Sequence, residues 1–238
     1  MGRGRSVLVD TARVGTGLAV VIAGIAAYVV ATGPGRYVTY AGRSDAAATL
    51  MLATGTALVV AGLSTSWGRR AAGVGDLALL VGATWFASPL VGWSEGPPAV
   101  RAIALVVSVF TVPLLLHLVV AITPRPGRVV RSVVVTAYVG AVTVGVAVTM
   151  FRDPYFDTNC FANCSVNPFL VHHLSGLVHT VEVTWQWWLA GLGLALVGLG
   201  AARLGGQRGT RRRSLPIAVP AMLVGAVVVV RSLVGLGR

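Results

Sequence analysis

The residues of this chain that could do chemistry crowd into one stretch. Arg152 to Gly176, RDPYFDTNCFANCSVNPFLVHHLSG, holds both cysteines and two of the four histidines. Cys160 and Cys164 stand in a C-x-x-x-C spacing around Phe161, Ala162 and Asn163. A lone pair of cysteines in an oxidising compartment reads first as a disulfide, and the same two sulfurs could instead serve a two-thiolate metal site or a redox switch. A bridge closing so small a ring would fix local shape more than it would stabilise the whole fold.

Asn167 followed by Pro168 predicts a helix start, with an amide to accept an orphan N–H and a proline in the first turn. If that helix runs unbroken through Ser175 and Gly176, then His172, His179, Glu182 and Gln186 fall within about 80° of one face at 100° per residue. This polar stripe would be the ligand or stimulus wall. Glu182 is its sharpest member, because a carboxylate below a membrane interface is costly unless protonated, paired or solvated. His179, three residues earlier, is a candidate partner, and interfacial water reached through a cleft is the plainer alternative. Three histidines, two cysteines, Asp153, Asp157 and Glu182 could also hold zinc, copper or haem. Their spacing matches no strong metal motif, and adjacent His172 and His173 cannot face the same way on a helix, so no metal or cofactor is assigned. Asp153-Pro154, Asp157 and Asn159 read as turn chemistry. No nucleophile–base constellation or phosphate loop is present, so the chain by itself carries no catalytic machinery.

The elements that must position this stretch are membrane helices. With 55% apolar and 11% charged residues and a mean hydropathy of +0.82, the 238 residues are too hydrophobic for a soluble domain. All 19 basic residues are arginines, and they lie between apolar runs, as membrane topology requires, which argues against nucleic acid as a partner. A span needs about 20 apolar residues, and seven stretches qualify. They run from Val14 to Thr32, Ala46 to Ser64, Val74 to Trp93, Ala99 to Ile122, Val133 to Phe151, Leu177 to Ala201 and Leu215 to Gly235. The fold class is therefore all-α, a polytopic bundle forming a single membrane domain over 1–238, with 152–176 as its one substantial loop. Arg3, Arg5 and Arg13 precede a run too long for a signal peptide, which reads as a first anchor.

Orientation follows from the arginines in alternate connections. One side collects 13: Arg3, Arg5, Arg13, Arg69, Arg70, Arg125, Arg128, Arg131, Arg203, Arg208, Arg211, Arg212 and Arg213. The other collects six: Arg36, Arg43, Arg101, Arg152, Arg231 and Arg238. The positive-inside bias then predicts a multi-pass cell-membrane protein with a cytoplasmic N-terminus and an extracytoplasmic 152–176 loop. Trp67 falls at the inner boundary, Trp93, Trp185, Trp187 and Trp188 fall in the outer half, and Trp85 falls near the middle. Pro89, Pro113, Pro216 and Pro220 predict kinks. His117, four residues after Pro113, is expected to meet a carbonyl freed by that proline, and Asp76 is expected to pair with Arg69 or Arg70. Small-xxx-small pairs such as Gly191 with Ala195, and Gly140 with Val144 beside Gly145, would admit close helix approach, but among 30 glycines they discriminate little.

The run Arg152-Asp153-Pro154-Tyr155-Phe156-Asp157, then Asn159-Cys160, Asn163-Cys164 and Asn167 to Val171, resembles an extracytoplasmic segment of actinobacterial sensor histidine kinases with multi-span N-terminal regions. The resemblance covers about 20 residues and elsewhere is architectural only. It implies a membrane-embedded input module of a two-component system, in contact with lipid and homodimeric, that would reach a response regulator only through a kinase part. That part would follow one further helix, so the chain is expected to be truncated before it. No phosphoacceptor or nucleotide-binding residue is carried over. A small transporter or channel, and a membrane redox or metal-binding protein, are the competing readings.

Overall fold

The computed structural model describes residues 2–33, 39–66, 72–122, 127–154, 166–205 and 208–236. Every regular element among them is helical. In chain order they are α1 (Gly2–Thr32), a single 3-10 turn (Ala41–Arg43), α2 (Asp45–Ser66), α3 (Ala72–Leu90), α4 (Pro98–Val109), α5 (Thr111–Ala121), α6 (Arg128–Phe151), α7 (Ser175–Leu204) and α8 (Arg208–Leu236). The expected all-α bundle is what forms.

Six helical segments are long and apolar enough to cross a membrane: Thr11–Thr32, Asp45–Thr65, Gly73–Leu90, Pro98–Ala121, Arg128–Phe151 and Ser175–Ala202. They coincide with the first six predicted spans to within a few residues, as in a multi-pass membrane protein. The seventh predicted span lies in α8, which at 29 residues extends about 44 Å. Its apolar stretch among the described residues is the shorter Ala221–Val230.

Proline explains two local departures from regular helix. The fourth span is interrupted at Phe110, whose amide bonds back three residues to Val107 O at 3.2 Å. Three residues later Pro113 lacks the N–H that Val109 O would have received, and its ring crowds that carbonyl. Pro89 sits one residue before the end of α3, and the chain turns there, with Gly92 N–H donating to Pro89 O at 3.0 Å. The predicted third span had continued to Trp93.

α5 is the centre of the bundle. Eight of its eleven residues are buried, and Leu115, Leu116, Leu118 and Val119 join Leu58, Val81, Leu196 and Val224 in the main core. A second core fills the space between α1, α2 and α3. Its key is the Phe86 ring, which lies where a side chain at Gly24 or Gly55 would have to go. Trp85, the indole expected near mid-membrane, is accommodated because its Nε1–H donates to Met51 O at 2.9 Å.

α1 and α3 enter the bundle from the same end. Arg13 there makes a two-pronged contact with Asp76, Nε to Oδ1 at 3.0 Å and Nη2 to Oδ2 at 3.2 Å. This corrects the sequence expectation that Asp76 pairs within its own connection: the partner comes from a neighbouring helix. Arg69 and Arg70 lie outside the described residues. His117 is likewise reassigned. Its Nδ1 is 3.2 Å from the Tyr138 hydroxyl on α6, with the two rings edge to face at 87°. It therefore links α5 to α6 and does not serve the carbonyl freed by Pro113.

Candidate functional site

The end of α6 shows how the polar stretch is held. A helix leaves its last carbonyls without intrahelical donors, and buried ones must find partners elsewhere. Here every carbonyl from Val148 to Arg152 has one. Val148 O accepts from Arg152 N–H at 3.2 Å, Met150 O from the amides of Val171 and His172 at 2.9 and 3.3 Å, and Phe151 O from Leu174 N–H at 3.2 Å. The remaining two, Thr149 O and Arg152 O, accept from the Asn167 side-chain amide at 2.8 and 3.0 Å.

Residues 166–174 therefore form a strap across the end of α6, with Asn167 as its clasp. The Asn167 oxygen also accepts from Phe169 N–H at 3.1 Å, closing a local Asx turn. This corrects the expected helix start. Residues 171, 172 and 174 donate their amides to α6, so those groups cannot donate to their own preceding turn, and α7 begins only at Ser175. His172 consequently stands in the strap, exposed, three residues before the helix on whose face it was expected.

His179, Glu182 and Gln186 do lie on α7. His179 is exposed, while Glu182 and Gln186 are half-buried. Glu182 Oε1 is 3.0 Å from Nη1 of Arg152, the residue that ends α6. The carboxylate is thus paired across two helices, and its partner is Arg152, not His179. Both side chains keep about a third of their surface exposed, 32% and 35%, so the pair contributes only about 1 kcal/mol or less in water. The sequence did mark Glu182 as needing a partner. Arg152, 30 positions earlier, could be recognised only once the strap had folded the chain back.

Cys160 and Cys164 lie outside the described residues, as does Asp157, so their expected bridge is not part of this geometry. Among the described residues no group of three His, Cys, Asp or Glu side chains is placed to hold a metal ion.

Below the strap, α6 and α7 diverge enough to leave a groove of about 530 Å³. Its walls carry Thr136, Thr143, Thr180 and Thr184, and its aromatic side is Trp185, Trp187 and Trp188. Each threonine hydroxyl donates to a carbonyl four residues back in its own helix, at 2.8 to 3.0 Å, so polar lining is largely consumed internally. Trp185 is the floor: it is buried, and a side-chain carbon at Gly140 would come within 2.9 Å of its ring. The groove can take hydrocarbon and offers little to a polar solute.

Compared with known proteins, the chain matches no family model, no curated protein and no solved structure. Its function must be argued from its own geometry.

Proposed function

We propose that the chain is the membrane-embedded input module of a two-component sensor kinase, with a cytoplasmic N-terminus and the strap facing the exterior. In this reading the strap, Arg152 and the first turns of α7 are the stimulus site, with His172, His179, Glu182 and Gln186 at hand as polar contacts. The observation that carries the proposal is the clasp: one segment holds the last carbonyls of α6 while the residue ending α6 holds Glu182 of α7. A ligand competing for the strap or for Glu182 would change how two spans are tied, and only such differential contacts can shift a conformational equilibrium. A transporter would be expected to gather several polar groups near the middle of its spans. Here the membrane-depth polar contacts described above are single packing bonds, and the ion pairs lie towards the helix ends.

Fusion of the full chain, through one added span, to a kinase module gives the assay. Arg152→Gln and Glu182→Gln, each shown to insert normally, are expected to shift basal kinase output in the same direction, because each breaks the same tie. If both leave output and its response to pH and candidate ligands unchanged, the tie is a packing feature and the sensor reading fails.

A further inference from the structure

Along the sequence, charge is distributed very unevenly between the two sets of alternate connections. The connections that the sequence assigns to the side of Arg13 and Asp76 contain 13 arginines and two acidic residues, Asp10 and Asp76, which leaves +11. The connections assigned to the other side contain six arginines and five acidic residues, Asp45, Glu95, Asp153, Asp157 and Glu182, which leaves +1. Together these account for the whole net charge of +12. The positive-inside bias requires an arginine excess, but it does not require that carboxylates be withheld from the same end.

Asp76 is already taken by Arg13. At the start of α6, Arg128 and Arg131 stand three residues apart on one helix face, both exposed, and neither side chain meets a carboxylate among the described residues. Val129 beside them is 77% exposed, so apolar surface and free positive charge adjoin at this end of a membrane span. The exposed Ser132 hydroxyl donates to Arg128 O in its own helix, at 3.2 Å.

We propose that the arginine-rich end is a binding surface for anionic phospholipid headgroups, with Arg128 and Arg131 among its direct phosphate contacts. The match is one of charge and place: guanidinium groups beside lipid-facing valine, at the depth where phosphates lie. An acidic protein segment would satisfy the charge alone. It would not explain the adjoining exposed apolar surface, which a lipid covers with the same molecule. This inference does not depend on the sensor proposal, since it concerns the other end of the bundle.

The test uses the full chain in zwitterionic detergent, titrated with phosphatidylglycerol or phosphatidylcholine, with thermal stability as the readout of binding. Phosphatidylglycerol is expected to raise the melting temperature at concentrations where phosphatidylcholine does not, and the shift is expected to shrink as salt rises. At about fivefold per arginine, Arg128→Gln with Arg131→Gln should weaken the apparent affinity roughly 25-fold. The paired Lys variants should retain most of it, and Arg43→Gln, at the opposite end, should leave it unchanged. Equal stabilisation by the two lipids, indifference to salt, or an equal loss in Arg43→Gln would overturn the proposal. Stabilisation by polyglutamate but not by phosphatidylglycerol would assign the surface to an acidic protein and overturn it too. Should the Gln pair fail to fold, the salt series and the comparison of the two lipids on the unaltered chain decide.

Discussion

α7 meets its two sequence neighbours in opposite ways. Against α8 it packs backbone to backbone: a side-chain carbon at Gly193 would lie 2.7 Å from Gly225 O, and one at Gly225 would lie 2.8 Å from Gly193 O. Met222 closes the same crossing over Gly200. Against α6 the contact is made through large side chains, chiefly Trp185 on Ala141, Val144 and Val148, with an open groove to one side and polar ties at one end. The first arrangement has no slack, because van der Waals packing of small residues is what holds helices together where lipid removes the hydrophobic drive. The second is joined by few, separable bonds. If α7 changes position, the α6 side is where the change has room, and α8 should travel with it.

The largest effect should come from breaking the rigid side. Gly193→Val places branched carbons against a backbone carbonyl that cannot rotate away, and overpacking of this kind costs roughly 3 kcal/mol. Thermal unfolding of the solubilised protein should show a clear drop in melting temperature. A drop of less than a few degrees would mean that the α7–α8 crossing can open, and the contrast with the α6 side would collapse.

Breaking the clasp should cost less. Asn167→Ala leaves Thr149 O and Arg152 O without their shared donor, about 2 kcal/mol in total for two half-buried carbonyls. Asn167→Asp preserves shape but turns the donor into an acceptor facing two other acceptors, so it should be at least as damaging as Ala. This order separates the observed role from the one expected from sequence, since Asp is as good as Asn at a helix start. An Asp variant as stable as the parent chain would restore the helix-start reading.

That reversal shows where the sequence was informative. Six spans were legible because hydrocarbon thickness imposes about 20 apolar residues on each of them, whatever packs around it. The interruption before Pro113 was legible because a missing N–H acts locally. Asn167, Asp76, His117 and Glu182 were each recognised as polar groups needing a partner, and in each case the partner chosen from sequence was too near in the chain. Arg13, Tyr138 and Arg152 lie 63, 21 and 30 positions from the groups they serve. Periodicity reports what a helix needs, whereas only the packing of α1 on α3, α5 on α6 and α6 on α7 reports who supplies it. Glycines make the same point. Gly191 and Ala195 fit the small-xxx-small pattern that admits close approach, yet the close approach is made two residues later, at Gly193.

The smallest expected effect therefore has the opposite sign from the first. Gly191 is exposed, and a side-chain carbon there would meet nothing within 4 Å. Alanine at this position removes backbone freedom from the unfolded chain and adds no clash, which should stabilise α7 by about 0.5 to 1 kcal/mol. Gly191→Ala and Gly193→Val, two residues and so about 200° apart in one helix, thus sharpen the comparison to two nearly opposite faces. A rise in melting temperature for the first and a fall for the second would fix which face of α7 is committed to α8. A fall for Gly191→Ala that shrinks away as both proteins are diluted would instead place the outer face of α7 against a second copy of the chain, because only a contact between molecules depends on concentration.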